Sequence, residues 1–547
     1  MRNTYYHTKC LAFLATALTL FSVTEALAQD AQRPPAPGTM PLKSMPQYLP
    51  VEPGFPAPST HTGNAYAPEA NYTSRWTRAD ARQIKALSNP NMPANANSLP
   101  LSLTMPTISK DFPVTNDQYW IWDTWPLTDG AGNQYSYNGW EVIFCLTADR
   151  NAGYDFGNRH VHARLGYFYR RAGLPASSRP VNGGWIYGGH LFPEGSSEAL
   201  FAGREGVRAQ WSGSTRITQV GTNGVMAFYT DALFPSDGPM DAIITLANGQ
   251  IHSDNTHVWF TGFNQHIPLL HPDGHYYQTR EQNPYVSFRD PYTFNDPAHP
   301  GKTYMVFAGN SSGVRGDTPC DASDLGYQPG EKYSETLDQV NQSGAIFQRA
   351  NIGLAVATRG DLTQWQFLPP LVSANCVNDQ MERPQIYMQN GDYYLLTISH
   401  RTTFAAGIDG PDGEYGFYGH GIRSDWVPLN NGSGLMLGNP TNLQTAAGTD
   451  WALNPDQNLN TYQTYSHYVM PGGKVQSFID MIQYRWGGSL APIVRLKFQG
   501  ANTALDTTYG QNGLGAYGDI SANVANTNIS GMMQDMRSKY GTQNFIK

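Results

Sequence analysis

Apolar residues in this chain fall into short runs, not long stripes. Glu141–Leu146, Arg164–Tyr169, Val225–Thr230, Thr303–Ala308, Asp392–Ser399 and Val475–Met481 are rich in β-branched and aromatic side chains, and Asn, Gly, Asp or Pro breaks off each run. Such segments between turn formers predict strands. Helical spacing is scarce. Thr77–Leu87 predicts one helix with Thr77 as N-cap, and Ile529–Lys539 a weaker second. No Pro/Ser-rich linker divides residues 75–500, so they read as one large β domain. A propeller, a sandwich or a β-helix would each fit.

The flanks have a different texture. Arg2 and Lys9 precede or flank an apolar run, Cys10–Val23, and Ala26-Leu27-Ala28 offers a small-x-small cleavage site. Residues 1–28 therefore read as a signal peptide, with an apolar run too short to span a bilayer comfortably. An exported chain with no membrane attachment after cleavage is expected. Residues 29–74 are Pro-rich and predict an extended arm. Residues 75–547 would form a single catalytic domain, its Asn/Gly/Ala-rich end past about 500 wrapping the surface.

Composition narrows the class. The 547 residues include 55 Gly and 38 Pro, 12% are aromatic and only 14% are charged, against about 25% charged in average soluble proteins. This argues against a coiled coil, a helical repeat array or a long disordered chain. The net charge is −8, and the absence of Lys/Arg runs makes nucleic acid an unexpected partner. Three cysteines would remain after export. Cys145 lies in a strand-like run and reads as a buried thiol. Cys320 and Cys376 sit in polar, loop-like surroundings and are expected to pair. Closing that loop would contribute roughly 4 kcal/mol in the chain-entropy model.

Three segments carry candidate chemistry. In Tyr119–Leu127 (YWIWDTWPL) three Trp and a Tyr surround Asp123. Aromatic faces stack on sugar C–H groups and a carboxylate can act at an anomeric carbon; a turn aspartate beside a hydrophobic cluster is the bland reading. In Val286–Asn295 (VSFRDPYTFN) Asp290 is expected to end a strand that Pro291 stops, with Arg289 on the opposite face; Asp-Pro as a simple turn starter is the alternative. In Asn378–Tyr387 (NDQMERPQIY) alternation puts Gln380 and Glu382 on one face and Arg383 on the other; a surface salt bridge is the alternative. Three carboxylates on separate short strands suit a radial β fold converging on one pocket. Glycoside chemistry with retention needs two of them, a nucleophile and an acid/base.

WDTWPL, QWSGS (Gln210–Ser214), FRDPY, ERPQ, TYSHY (Thr464–Tyr468), Arg75–Asp80 and Gly487–Val494 resemble glycoside hydrolase family 68, the levansucrases and related fructosyltransferases. The resemblance covers about 75–500 and keeps the family's motif order. It implies an all-β, five-bladed β-propeller with a central acidic funnel. It also implies Asp123 as nucleophile, Asp290 as transition-state stabiliser and Glu382 as general acid/base. Trp122, Trp211, Ser212 and Arg289 match sugar-binding positions, and Tyr465 the tyrosine beside the acid. Gln380 and His400 stand where Gram-positive members carry Glu and Arg; with the Cys320–Cys376 pair they resemble the Gram-negative branch. No cofactor and no required metal are implied, although Asp379 lies next to a position where those members bind calcium. The implied partners are sucrose and fructan, fructooligosaccharide or water acceptors. A mildly acidic optimum is expected because the general acid must be protonated for the first step.

Other readings are weaker. Gly309-Asn310-Ser311-Ser312-Gly313 fits GxSxG, but no helical sequence follows it. His160-Val161-His162 lacks a third zinc ligand and reads as exposed strand residues. Gly432-Ser433-Gly434 reads as a turn. A non-catalytic carbohydrate-binding propeller, a mainly hydrolytic β-fructofuranosidase and an inulosucrase remain as alternatives.

Overall fold

The computed structural model describes residues 67–521, apart from 90, 93–95, 237, 329, 332–333 and 444–459. Its architecture is all-β. The six expected strands lie within Trp140–Asp149, Arg164–Arg171, Gly224–Phe234, Thr303–Asn310, Asp392–Ser399 and Lys474–Ile482. Thr77–Leu87 folds as two short turns of helix, Arg78–Ala81 and Gln83–Ala86. Thr77 caps the first: its hydroxyl accepts from the Asp80 N–H while the Asp80 carboxylate accepts from the Thr77 N–H.

Five strands organise the molecule: β1 (Tyr119–Thr128), β2 (Val207–Ile217), β3 (Arg289–Asn295), β4 (Glu382–Gln389) and β5 (Thr464–Met470). Each heads an antiparallel run formed by the strands that follow it in sequence. The runs headed by β1 and β2 join into one eight-stranded sheet through a short parallel contact, Leu127 and Thr128 opposite Thr215 and Arg216. β1 lies against β2, β2 against β3, β3 against β4, β4 against β5, and β5 returns to β1. Both faces of these strands are therefore covered. All seven residues of β5 are buried, and its sequence loses the polar alternation of a half-exposed strand. Trp122, Trp125 and Phe144 are among the largest fully buried side chains around this centre.

The edges are tied down. Ser74–Arg75 pairs in parallel with Val372–Ser373, and the Arg423 guanidinium donates to the carbonyls of Pro68, Tyr72, Pro369 and Pro370. Cys320 and Cys376 form a disulfide just before β4. Cys145 is buried and unpaired. Beyond the last strand the chain returns to the first sheet, where Asp519 accepts from Arg170 and Arg179. Residues 1–28, most of the arm and Ile529–Lys539 lie outside the described residues.

Two local expectations are overturned. Asp290 does not end a strand: β3 starts at Arg289, and Pro291 sits within it at a register shift, where a ladder N–H is not required. His160 and His162 lie on a 3-10 turn, Arg159–His162, not on a strand.

Candidate active site

Each of β1 to β5 carries one register shift against its neighbour. The shifts fall between Trp122 and Trp125, Trp211 and Gly213, Arg289 and Tyr292, Glu382 and Gln385, and Thr464 and His467. A bulge re-aims side chains away from simple alternation. Asp123, Asp290 and Arg383 adopt left-handed φ of 46°, 63° and 47° at these points, a strained geometry for non-glycine residues that concentrates at functional sites. On β2 the residue after Ser212 is Gly213, where a Cβ would collide with the Phe228 carbonyl. The bulges gather two hydrogen-bonded pairs, Ser212 with Asp290 and Tyr465 with Glu382, which Arg289 joins, with Asp123 within electrostatic range.

Asp290 is held from three sides. Ser212 donates to Oδ1 at 2.6 Å, the Arg383 N–H donates to Oδ2 at 3.1 Å, and the Asp290 N–H donates to the Thr230 hydroxyl at 3.0 Å. Burial pushes its pKa up; Arg289 opposes this, while Glu382 and Asp123 add to it. Arg289 donates through Nε to Glu382 Oε1 at 3.1 Å and lies 3.8 Å from Asp290 Oδ2. The Tyr465 hydroxyl donates to Glu382 Oε2. The Tyr465 ring stacks on His400 with centroids 3.4 Å apart. His400 Nδ1 donates to Asp412 Oδ2 at 3.1 Å. Burial alone would lower the His400 pKa, but the Asp412 carboxylate outweighs it and raises the group to about 9.

The aromatic wall is also in place. Trp122 is buried with the Arg159 guanidinium 4.8 Å above its ring. Trp211 Nε1 donates to the His160 carbonyl at 2.9 Å, and Arg289 lies 5.8 Å over the Trp211 ring. Gln380 stands two residues before β4, its N–H donating to Asn378 Oδ1 and its carbonyl accepting from Ser399. No hydrogen bond from its amide joins it to the carboxylates among the described residues. Asp379 engages Arg315 and the Arg349 N–H. The buried Asp290, Trp122 and Ser212 form a floor; half-exposed His400 and Trp211 and exposed His160 form a rim.

The family model of glycoside hydrolase family 68, levansucrase/invertase, matches residues 66–521. A levansucrase of Gluconacetobacter diazotrophicus is 56% identical over 544 residues, covering 96% of this chain and 93% of that one. The chain belongs to glycoside hydrolase family 68. A crystal structure of levansucrase from the same organism superposes with a TM-score of 0.83 at 60% identity, covering 88% of this chain and all of that one. An extracellular sucrase of Zymomonas mobilis is 40% identical over 79% of this chain and 92% of its own length.

Within this family-68 chain, one expectation drawn from strand alternation needs correction, and one alternative reading falls away. Arg383 does not form the surface salt bridge weighed as the alternative. It is buried, and its guanidinium donates to the Thr124 carbonyl at 2.9 Å and to Ser466. Its backbone also holds Asp290, so one residue ties β1, β3, β4 and β5 together. Arg289 and Asp290 do not face apart, because the bulge at Asp290 brings both to Glu382. Asp412, Arg159, His160 and Asp480 were not picked out as site residues. Asp480, 3.7 Å from Arg159, is pushed up to about 7 by burial. Its signal was legible as a lone charge inside the apolar run Val475–Ile482.

Proposed function

We propose that this chain is an exported levansucrase. It transfers the fructosyl unit of sucrose, with retention, to a growing β-2,6 fructan, to fructooligosaccharides or to water, and releases glucose. The observation that carries this reading is the bridge of Arg289 and Tyr465 to Glu382, with Asp290 beside it and Asp123 in electrostatic range. The 56% identity to the Gluconacetobacter levansucrase supports the same activity.

Asp123 attacks C2 of the fructosyl unit as Glu382 protonates the departing glucose oxygen. Positive charge develops at C2, and the anchored Asp290 carboxylate stabilises it without attacking. Glu382 then deprotonates the acceptor, which attacks the fructosyl-enzyme. Ser212 and the Arg383 N–H keep Asp290 in place; Arg289 and Tyr465 orient Glu382. Trp211 offers a sugar-stacking face and the buried Trp122 backs the floor, while Gln380 and His400 stand on the side where glucose leaves. No cofactor or metal enters these steps.

The closed series β1 to β5, each heading its own antiparallel run, supports a five-bladed β-propeller with a central acidic funnel. Residues 75–547 act as one catalytic unit behind an export signal at 1–28 and an arm at 29–74. The Zymomonas relative's extracellular character supports secretion, and the Gluconacetobacter and Zymomonas relatives support a Gram-negative setting.

The test is incubation with sucrose and separate assay of glucose and fructose. Glucose in excess of fructose, with β-2,6 linkages by carbon NMR, is expected. Equal amounts would mean a β-fructofuranosidase, β-2,1 linkages an inulosucrase, and binding without glucose release a non-catalytic module.

A further inference from the structure

His160 differs from the other side chains around the site. It lies on the short turn Arg159–His162 with its ring edge-on to Trp122, centroids 5.7 Å apart. Its main-chain carbonyl is fixed by Trp211 Nε1. Arg159 turns inward, where it is buried against Trp122, Phe156 and Asp480. His160, against the same Trp122 ring, is solvent-exposed. Neither of its ring nitrogens has a hydrogen-bond partner among the described residues. The surrounding walls, together with Arg159, His400 and Arg289, hold its pKa well below 6.5. The ring is therefore neutral, with one nitrogen donating and the other accepting.

We propose that His160 is a further substrate-binding residue, whose imidazole hydrogen-bonds hydroxyls of the sugar at the rim, first the departing glucosyl unit of sucrose and then the acceptor. Three observations support the rim assignment. The floor is filled by buried Trp122, Ser212 and Asp290, whereas His160 is exposed. His160 also lies within electrostatic range of His400, and His400 stacks on the tyrosine that touches Glu382, the acid serving the departing oxygen. Vicinal sugar hydroxyls each donate and accept, and a neutral imidazole with two unused nitrogens matches them. A cationic His400, its Nδ1 already donating to Asp412, supplies only one donor.

The inference rests on the levansucrase reading, and its test separates the two. Wild type, His160→Ala and His160→Gln are compared for sucrose KM, kcat, inhibition by added glucose, and the ratio of transfer to hydrolysis. His160→Ala is expected to raise KM and the glucose inhibition constant about five- to tenfold, the effect of a lost hydrogen bond to a sugar. It should also lower the transfer ratio at least threefold. His160→Gln, which keeps a donor and an acceptor, should recover most of each. Unchanged KM, glucose inhibition and transfer ratio in His160→Ala would overturn the proposal. So would a fall in kcat and thermal stability alone, without rescue by Gln, since that marks a structural role. A wild type that releases no glucose from sucrose would instead overturn the levansucrase reading.

Discussion

On the floor of the site, Asp290 receives hydrogen bonds from Ser212 and from the Arg383 backbone, and its own N–H is anchored on Thr230. At the rim, His400 rests on a stacked ring and one carboxylate, and the His160 ring has no hydrogen-bond partner among the described residues, only an edge-on contact with Trp122. The floor is set by main chain: left-handed bulges, a neighbouring N–H, and an arginine that reaches a carbonyl next to Asp123. The rim is set by side chains. Charge stabilisation in a transition state demands groups that need no reorganisation as the bond breaks. Selection among acceptors needs only hydroxyl contacts, which softer groups can provide. A single reaction can thus keep one chemistry while its acceptor varies.

Changes at the floor should affect turnover most. Asp123→Asn should slow glucose release by about four orders of magnitude or more, as loss of a nucleophile does; single-turnover glucose assays would read this. Asp290→Asn should lower kcat by about a hundred- to a thousandfold while sucrose KM moves less than about threefold, because its contribution is confined to the transition state. A proportional rise in KM would place Asp290 in ground-state binding and blur the contrast. Arg383→Lys keeps the N–H to Asp290 but loses the fork between Thr124 and Ser466. A drop in kcat of about ten- to a hundredfold is expected, together with a lower melting temperature by calorimetry.

Changes at the rim should be smaller and different in kind. Asp412 is what keeps His400 charged up to about 9. As the pH rises through that value the wild type loses the cation. In Asp412→Asn the loss comes at lower pH, so the alkaline limb of the pH–rate profile should move toward the ordinary histidine value of about 6.5. An unmoved limb would remove His400 from the reaction. Cys320→Ser should leave the chemistry largely intact and cost at most about 4 kcal/mol of stability, read from denaturant midpoints. A collapse of turnover at low temperature would show that the start of β4 depends on the disulfide.

The strands and the first helix were legible because turn formers and a capping threonine mark them locally. The carboxylates were legible because charge among aromatic residues is costly without a task. What the strand rule missed traces to the bulges. Alternation separated Arg289 from Asp290 and gave no sign that Arg383 is buried between strands, and nothing in WDT, RDP or ERP announces a left-handed residue, since none is glycine. The strain exists because neighbouring strands impose it. His160, read as an exposed strand residue, is exposed on a short 3-10 turn instead, a difference that the isolated segment HVH does not signal.

The most direct test of the account is to quench the enzyme in acid during sucrose turnover and map the peptides by mass. The account predicts that the peptide holding Asp123, and no other, gains the mass of one fructosyl unit. An adduct on Asp290 or Glu382, or turnover with no adduct at all, would contradict it.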